Sequence, residues 1–228
     1  MDIERVDTKH AYGLIRTRIT TLELAPGALI NAQQLAAELN LPLFAVEEAL
    51  KLLAHDHLVR ITLRHGTYVA DVNIADLEQL SELRIELESL AAALAAQRAT
   101  ADDLAVLEAL REAQVPHDAA DARTLFDLDH RFHQAIAQAA KNIYLAETLE
   151  QFYGMSLRLW YLVLPRLQFL PGSVEKHLAL VDAIRRKQPA VAEQIARAHV
   201  REFYVEVREV LAAASSEAAS RAAGRREP

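Results

Sequence analysis

Asp129 and His133 stand four residues apart in "DLDHRFHQAIAQAA". On a helix they project from one face, one turn apart. Two more histidines lie further along. His177 borders an apolar stripe of Leu178, Leu180, Val181 and Ile184, and His199 neighbours Ile195, Val200 and Phe203. Neutral imidazoles and an ionised carboxylate together suit a divalent first-row metal such as Zn²⁺ or Ni²⁺. Spacing alone favours a plainer reading, in which the Asp–His pair is a surface neighbour pair and the other histidines are hydrogen-bonded in a core. His130 lies about 100° round the helix from Asp129 and is excluded.

Two arginines lie among apolar residues. Arg84 lies among Leu80, Leu83 and Leu87 and could offer a charge-assisted bond. Its alternative is an exposed pair with Glu88 at i+4. Arg158 lies inside "SLRLWYLVL"; an Arg in such an apolar run snorkels or serves a site.

These residues need helices to carry them, and the second part of the chain supplies little else. From Asn73 onward the periodicity predicts six helices: Asp76–Thr100, Ala101–Gln114, Asp121–Ala140, Ile143–Leu164, Val174–Arg186 and Pro189–Ala214. Pro165 and "LPGS" (Leu170–Ser173) break the chain between the fourth and fifth. The expected architecture is an all-α bundle over residues 73–214, followed by a frayed tail, 215–228, with no apolar stripe.

Residues 1–72 read differently. A helix is expected over Lys9–Leu24, then a turn at "APGALI" (Ala25–Ile30). Asn31 caps a short helix, Ala32–Leu39, and Asn40 suits the left-handed residue that ends it. Pro42 fits the first turn of the next helix, Pro42–His55. There Val46, Ala49, Leu50 and Leu53 form the buried stripe, opposite Phe44, Glu47, Glu48 and Lys51. "LVRITLRHGTYVA" (Leu58–Ala70) switches to period two around a glycine, which is a hairpin. Three helices and a hairpin make a winged helix-turn-helix, so the fold class is mainly α, a winged helix-turn-helix followed by a six-helix bundle.

Composition bounds the rest. With no cysteine, disulfides and thiolate metal sites are excluded, which fits a reducing cytoplasm. No apolar run approaches the roughly 20 residues that span a bilayer, and no signal peptide opens the chain. A formal net charge of −7 argues mildly against non-specific nucleic-acid binding. No nucleophile motif is visible, and no second Glu or His stands near the four ligand candidates as a general base, so an enzyme is not expected.

The order of parts resembles a GntR-family bacterial transcription regulator of the FadR-type branch, with an FCD effector domain. The likeness rests on "PGALINAQQLAAELNLPLFAVEEALKLLAHDHLV", the wing "RHGTYVA", "ELRIELESLAAALAA", "DLDHRFHQAIAQAAKN" and "KHLALVDAIRRKQPAVAEQIARAHV". It implies that Asp129, His133, His177 and His199 are the FCD metal ligands. It also implies that a small carboxylate effector completes the metal's shell, with Arg84, at the family's "LR..LE" position, beside it and Arg158 a weaker candidate. A homodimer reading a palindromic operator follows from the same resemblance.

The likeness fails at one place. The family presents Ser-Arg at the start of the third helix, Arg one turn later and Arg on the second helix. Here those positions hold Pro42, Leu43, Glu47 and Gln33. Residues 1–70 carry seven Arg and Lys against eight Asp and Glu. One reading is redirected recognition: Gln33 and Gln34 on adenine, Leu43 or Phe44 on thymine methyls, Glu47 on cytosine, and Lys51, Arg64, His65 and Gly66 at the phosphates. Another pairs Glu47 with Lys51 at i+4 and takes the contacts from elsewhere. A third makes the protein a degenerate regulator that binds metal and metabolite but no DNA.

Overall fold

The computed structural model describes residues 2–113, 122–163 and 171–224. They fall into two units: residues 1–73 with 154–162, and residues 74–153 with 163–228.

In the first unit, α1 (Asp2–Thr20) lays Ala11, Ile15 and Ile19 into the core and ends just before Leu22, whose φ is 62°. The helix therefore starts earlier and stops sooner than Lys9–Leu24. The turn reading of Ala25–Ile30 is corrected in part. Leu29–Ile30 form a short strand, β1, registered on Tyr68 and Thr67. The Asn31 side chain accepts from the Gln34 amide at 3.1 Å and starts α2 (Ala32–Leu39). Asn40 ends it at φ 52°, the left-handed conformation expected of it. Pro42 is the N-cap of α3 (Leu43–His55), one position outside the helix, and it provides no side-chain cap bond.

On α3, Ala45, Val46, Ala49, Leu50 and Leu53 are buried against α1 and α2. The hairpin is β2 (Val59–Thr62) and β3 (Gly66–Val69), in an antiparallel sheet ordered β1-β3-β2. Arg64 at φ 68° and Gly66 at φ 110° turn the tip. A side chain at Gly66 would be strained by that φ, and its Cβ would lie 3.1 Å from Leu29.

The second unit contains α4 (Ile74–Arg98), α5 (Ala101–Ala113), α6 (Ala122–Ala139), most of α7 (Ile143–Val163), α8 (Pro171–Arg185) and α9 (Pro189–Gly224). Thr100 and Asp103 cap α5 reciprocally: the Thr100 amide donates to Asp103 at 2.8 Å, and the Asp103 amide donates to the Thr100 hydroxyl at 3.3 Å. Asn142 caps α7 through the Leu145 amide. Leu107, Phe132, Leu180, Val181, Ile184 and the small residues of α4 and α9 fill the core. Six helices were expected and six are described. Pro165, Leu170 and the predicted ends at Gln114, Asp121 and Leu164 lie outside the described residues, whereas Pro171–Ser173 of the expected "LPGS" break are corrected to the first turn of α8.

Two boundaries change. Residues 154–162 of α7 belong with the first unit, where Met155 packs on the apolar cluster and Arg158 Nη1 donates to the Ala70 carbonyl at 2.9 Å. The division is thus not a single cut near residue 72. The expected tail at 215 is also corrected, since α9 continues to Gly224. The alanine-rich "AAASSEAASRAAG" has the helix propensity to extend it without an apolar stripe.

Candidate metal centre and DNA-reading face

The second unit brings the four predicted ligands together. One nitrogen from each of His133, His177 and His199 and one oxygen of Asp129 all lie within 4.8 Å of one another. Helix α6 supplies Asp129 and His133 from adjacent turns, α8 supplies His177 and α9 supplies His199. His177 Nε2 is 2.9 Å from His199 Nε2, which is 3.2 Å from His133 Nε2. Asp129 Oδ1 lies 3.7 Å from His133 Nε2 and 3.6 Å from His177 Nε2. Ligands about 2.1 Å from one ion are about 3.0 Å apart at right angles and about 3.4 Å apart in a tetrahedron. Of the two nitrogen spacings, 3.2 Å falls in that range and 2.9 Å lies just below it. Three imidazole nitrogens facing one point cannot all be satisfied by one another, whereas a single cation accepts every lone pair at once.

The surroundings hold these rings in place. Phe132 stacks on His177 with centroids 4.2 Å apart, and His177 is only 1% exposed. The Tyr153 hydroxyl donates to Asp129 Oδ2 at 3.3 Å, leaving Oδ1 toward the imidazoles. Glu88 Oε2 sits 2.6 Å from His133 Nδ1. His130 turns away, 2.9 Å from Glu150 and stacked on Tyr153, in keeping with its exclusion.

The expectation that no further Glu stands near the four ligands is corrected by Glu88. This carboxylate is engaged by His133 and by Arg84, whose Nε lies 2.8 Å from Oε1, and does not stand as a free base. Arg84 does pair with Glu88, but buried at 2% exposure and not on the surface. Its Nη1 donates to the Tyr204 hydroxyl at 3.1 Å, and its guanidinium packs over the Tyr153 ring. Arg158 belongs to the first unit, where it serves the backbone at Ala70.

Charge follows from this burial in the metal-free centre. Burial pushes His177 well below the ordinary imidazole range, and burial with the His133 charge brings His199 down to about 3. Burial also opposes charge on His133, but Glu88 and Asp129 outweigh it and hold that imidazole above its ordinary value. Burial raises Asp129. For Glu88 the cost of burial is outweighed by Arg84 and His133, and its carboxyl falls to about 2. His177 and His199 therefore already stand neutral, as ligands must.

A metal entering would displace a proton from His133 and none from His177 or His199. Below the raised pKa of His133, affinity should fall with pH, with a proton released from that group. Calorimetry in buffers of different ionisation enthalpy measures that proton; three released protons would contradict the charge assignment. The neutral pair also sets a sign for folding. Their depressed values stabilise the metal-free protein above the ordinary imidazole pKa, and that stability is lost as pH falls through and below it.

In the first unit the predicted DNA-reading residues are all exposed: Gln33 and Gln34 on α2, Leu43, Phe44, Glu47 and Lys51 on α3, and Arg64, His65 and Gly66 at the wing. Gln34 donates to Glu38 at 2.9 Å. Lys51 is held by Glu48 at 2.6 Å, so the i+4 pairing with Glu47, one of the alternatives open from sequence, gives way to one at i+3. Leu63 at the wing tip is 86% exposed, an apolar point the sequence reading did not single out.

The molecule thus combines a winged helix-turn-helix unit with a helical unit that gathers a largely buried Asp-and-His cluster. Residues 7–69 match the gntR family of bacterial regulatory proteins and residues 79–202 match the FCD domain. The chain belongs to the GntR family and carries an FCD domain; it is a DNA-binding transcriptional regulator of that type. It is 30% identical over 213 residues to an HTH-type transcriptional regulator of Streptomyces ambofaciens, covering 91% of this chain and 88% of that one. It is 24% identical over 200 residues to the HTH-type transcriptional repressor RspR of Escherichia coli, covering 87% and 88%. In fold it resembles E. coli McbR/YncC, with a TM-score of 0.77 at 22% identity over 89% of this chain and 97% of the other. Among the described residues no helix is long and apolar enough to cross a membrane.

Proposed function

We propose that this regulator is ligand-responsive, and that its FCD domain holds a divalent metal, Zn²⁺ or Ni²⁺, through Asp129, His133, His177 and His199. The observation that carries this reading is the convergence of three imidazole nitrogens and one carboxylate oxygen on a common point. Four protein ligands on an octahedral ion leave two positions, which a small carboxylate metabolite can fill. Arg84 reaches the centre through Glu88 and supplies a buried cation to such an anion. The protein acts as a homodimer on a palindromic operator, as a two-fold pair of winged helices requires.

On DNA, Leu43 and Phe44 meet thymine methyls, Gln33 and Gln34 meet adenine, Glu47 accepts from cytosine, and Lys51, Arg64, His65 and the Gly66 turn lie at phosphates. The exposure of the two apolar side chains, 38% and 43%, supports this assignment over a buried role. Selection of genomic fragments at low salt by the metal-loaded protein, with and without a panel of small dicarboxylates, tests the whole reading. Enriched fragments whose retention changes with one dicarboxylate are expected. Retention that is indifferent both to metal and to every carboxylate would refute ligand control.

A further inference from the structure

We infer that Glu88 is the positioning residue of the metal centre: its carboxylate fixes the tautomer and ring orientation of His133. The inference rests on the metal reading above and adds a residue from outside the four ligands. Glu88 Oε2 is buried and lies 2.6 Å from His133 Nδ1. That contact is a hydrogen bond only if Nδ1 carries the proton. Otherwise Oε2 is a buried carboxylate oxygen with no hydrogen bond at all, an arrangement that costs about 1–3 kcal/mol or more for a charged group. The proton must therefore sit on Nδ1, which leaves the Nε2 lone pair facing His199 and Asp129.

The other oxygen of the same carboxylate is fixed independently. Arg84 grips Oε1 through Nε at 2.8 Å and through Nη2, and Tyr204 accepts from Arg84 Nη1. Since Glu88 lies one turn beyond Arg84 on α4, the pair forms a rigid bracket on one helix face. The chain of contact runs from Tyr204 on α9, through Arg84 and Glu88 on α4, to His133 on α6. A carboxylate that holds the far nitrogen of a ligating histidine keeps it oriented and raises its basicity, and losing such a partner weakens metal binding about 10–100-fold.

The test uses the full-length protein, zinc as the probe and Glu88→Gln as the variant. In wild type at about pH 8, above the ordinary imidazole value, a ¹H–¹⁵N spectrum should show a downfield, exchange-protected His133 Nδ1 proton with or without zinc. A neutral amide is a weaker acceptor, so in E88Q that proton should move upfield or vanish, even if the amide flips. Zinc affinity by chelator competition should fall 10–100-fold. An E88Q protein that folds, keeps the wild-type Nδ1 signal and binds zinc within threefold of wild type would overturn the assignment. If E88Q does not fold, the wild-type spectrum decides alone: the protected proton supports the role and its absence refutes it. If wild type binds no zinc, the metal reading fails separately, and the same spectrum still decides whether Glu88 orients His133.

Discussion

His177→Ala should abolish stoichiometric metal binding and with it the metal's contribution to stability. His177 is the most buried of the four candidate ligands, and its Nε2 faces both His199 and Asp129. No side chain at position 177 shorter than imidazole reaches that point, so three ligands remain and zinc affinity should drop by more than the roughly 100-fold that outer partners control. Metal at a thousand times its Kd stabilises a folded protein by about 4 kcal/mol. At roughly 2–4 °C per kcal/mol for a chain of this size, zinc should raise the wild-type Tm by roughly 8–16 °C. The variant will also melt earlier without metal, because truncation leaves a void beside Phe132. The diagnostic is therefore the increment on adding zinc, which should vanish. An increment equal to that of wild type would remove His177 from the ligand set.

The second large effect concerns α3. Leu43→Arg together with Glu47→Arg should tighten binding to random-sequence duplex at low salt by about 100-fold or more. Both side chains are exposed, and their helix is anchored by Val46, Ala49, Leu50 and Leu53 on its other face, so the substitutions do not touch the core. Two new phosphate contacts should steepen the dependence of log affinity on log salt by roughly 1.8, at about 0.9 per phosphate. Removing Glu47 also removes a repulsion. Lys51 is common to both proteins, and its exposed pair with Glu48 opens readily, so its phosphate contact does not distinguish them. Fluorescence anisotropy across a salt series checks both numbers. Unchanged affinity and slope would place the DNA contacts away from this helix face.

Much of this molecule was legible because local chemistry and tertiary packing agree. Asn31 and Asn40 bracket α2 by side-chain capping and a left-handed φ, both of which are properties of the residue itself. The Val46–Leu53 stripe and the glycine at the wing are read the same way. The two-residue strand β1 was not legible, because its partners Thr67 and Tyr68 lie almost forty residues on, and nothing in "ALI" announces them. Nor was the allegiance of residues 154–162, since Met155 and Arg158 join the first unit through packing along an unbroken helix.

Around the candidate metal centre the four residues were legible as ligands only through family resemblance; their spacing alone favours a plain core. Tyr153 and Tyr204 carried no signal, as each reaches the centre from a helix far away in sequence. Glu88 did carry one. It stands one turn beyond Arg84 within "ELRIELESL", and burial of both makes them a paired unit with a third partner. On the recognition helix, the choice of Glu48 over Glu47 as partner for Lys51 is a matter of rotamers that periodicity does not resolve.

Metal content tests the assignment of Asp129, His133, His177 and His199 most directly. Purified protein, stripped by chelator, exposed to equimolar zinc or nickel near neutral pH and desalted, should retain one divalent ion per chain. Folded protein that retains none of either ion would contradict it.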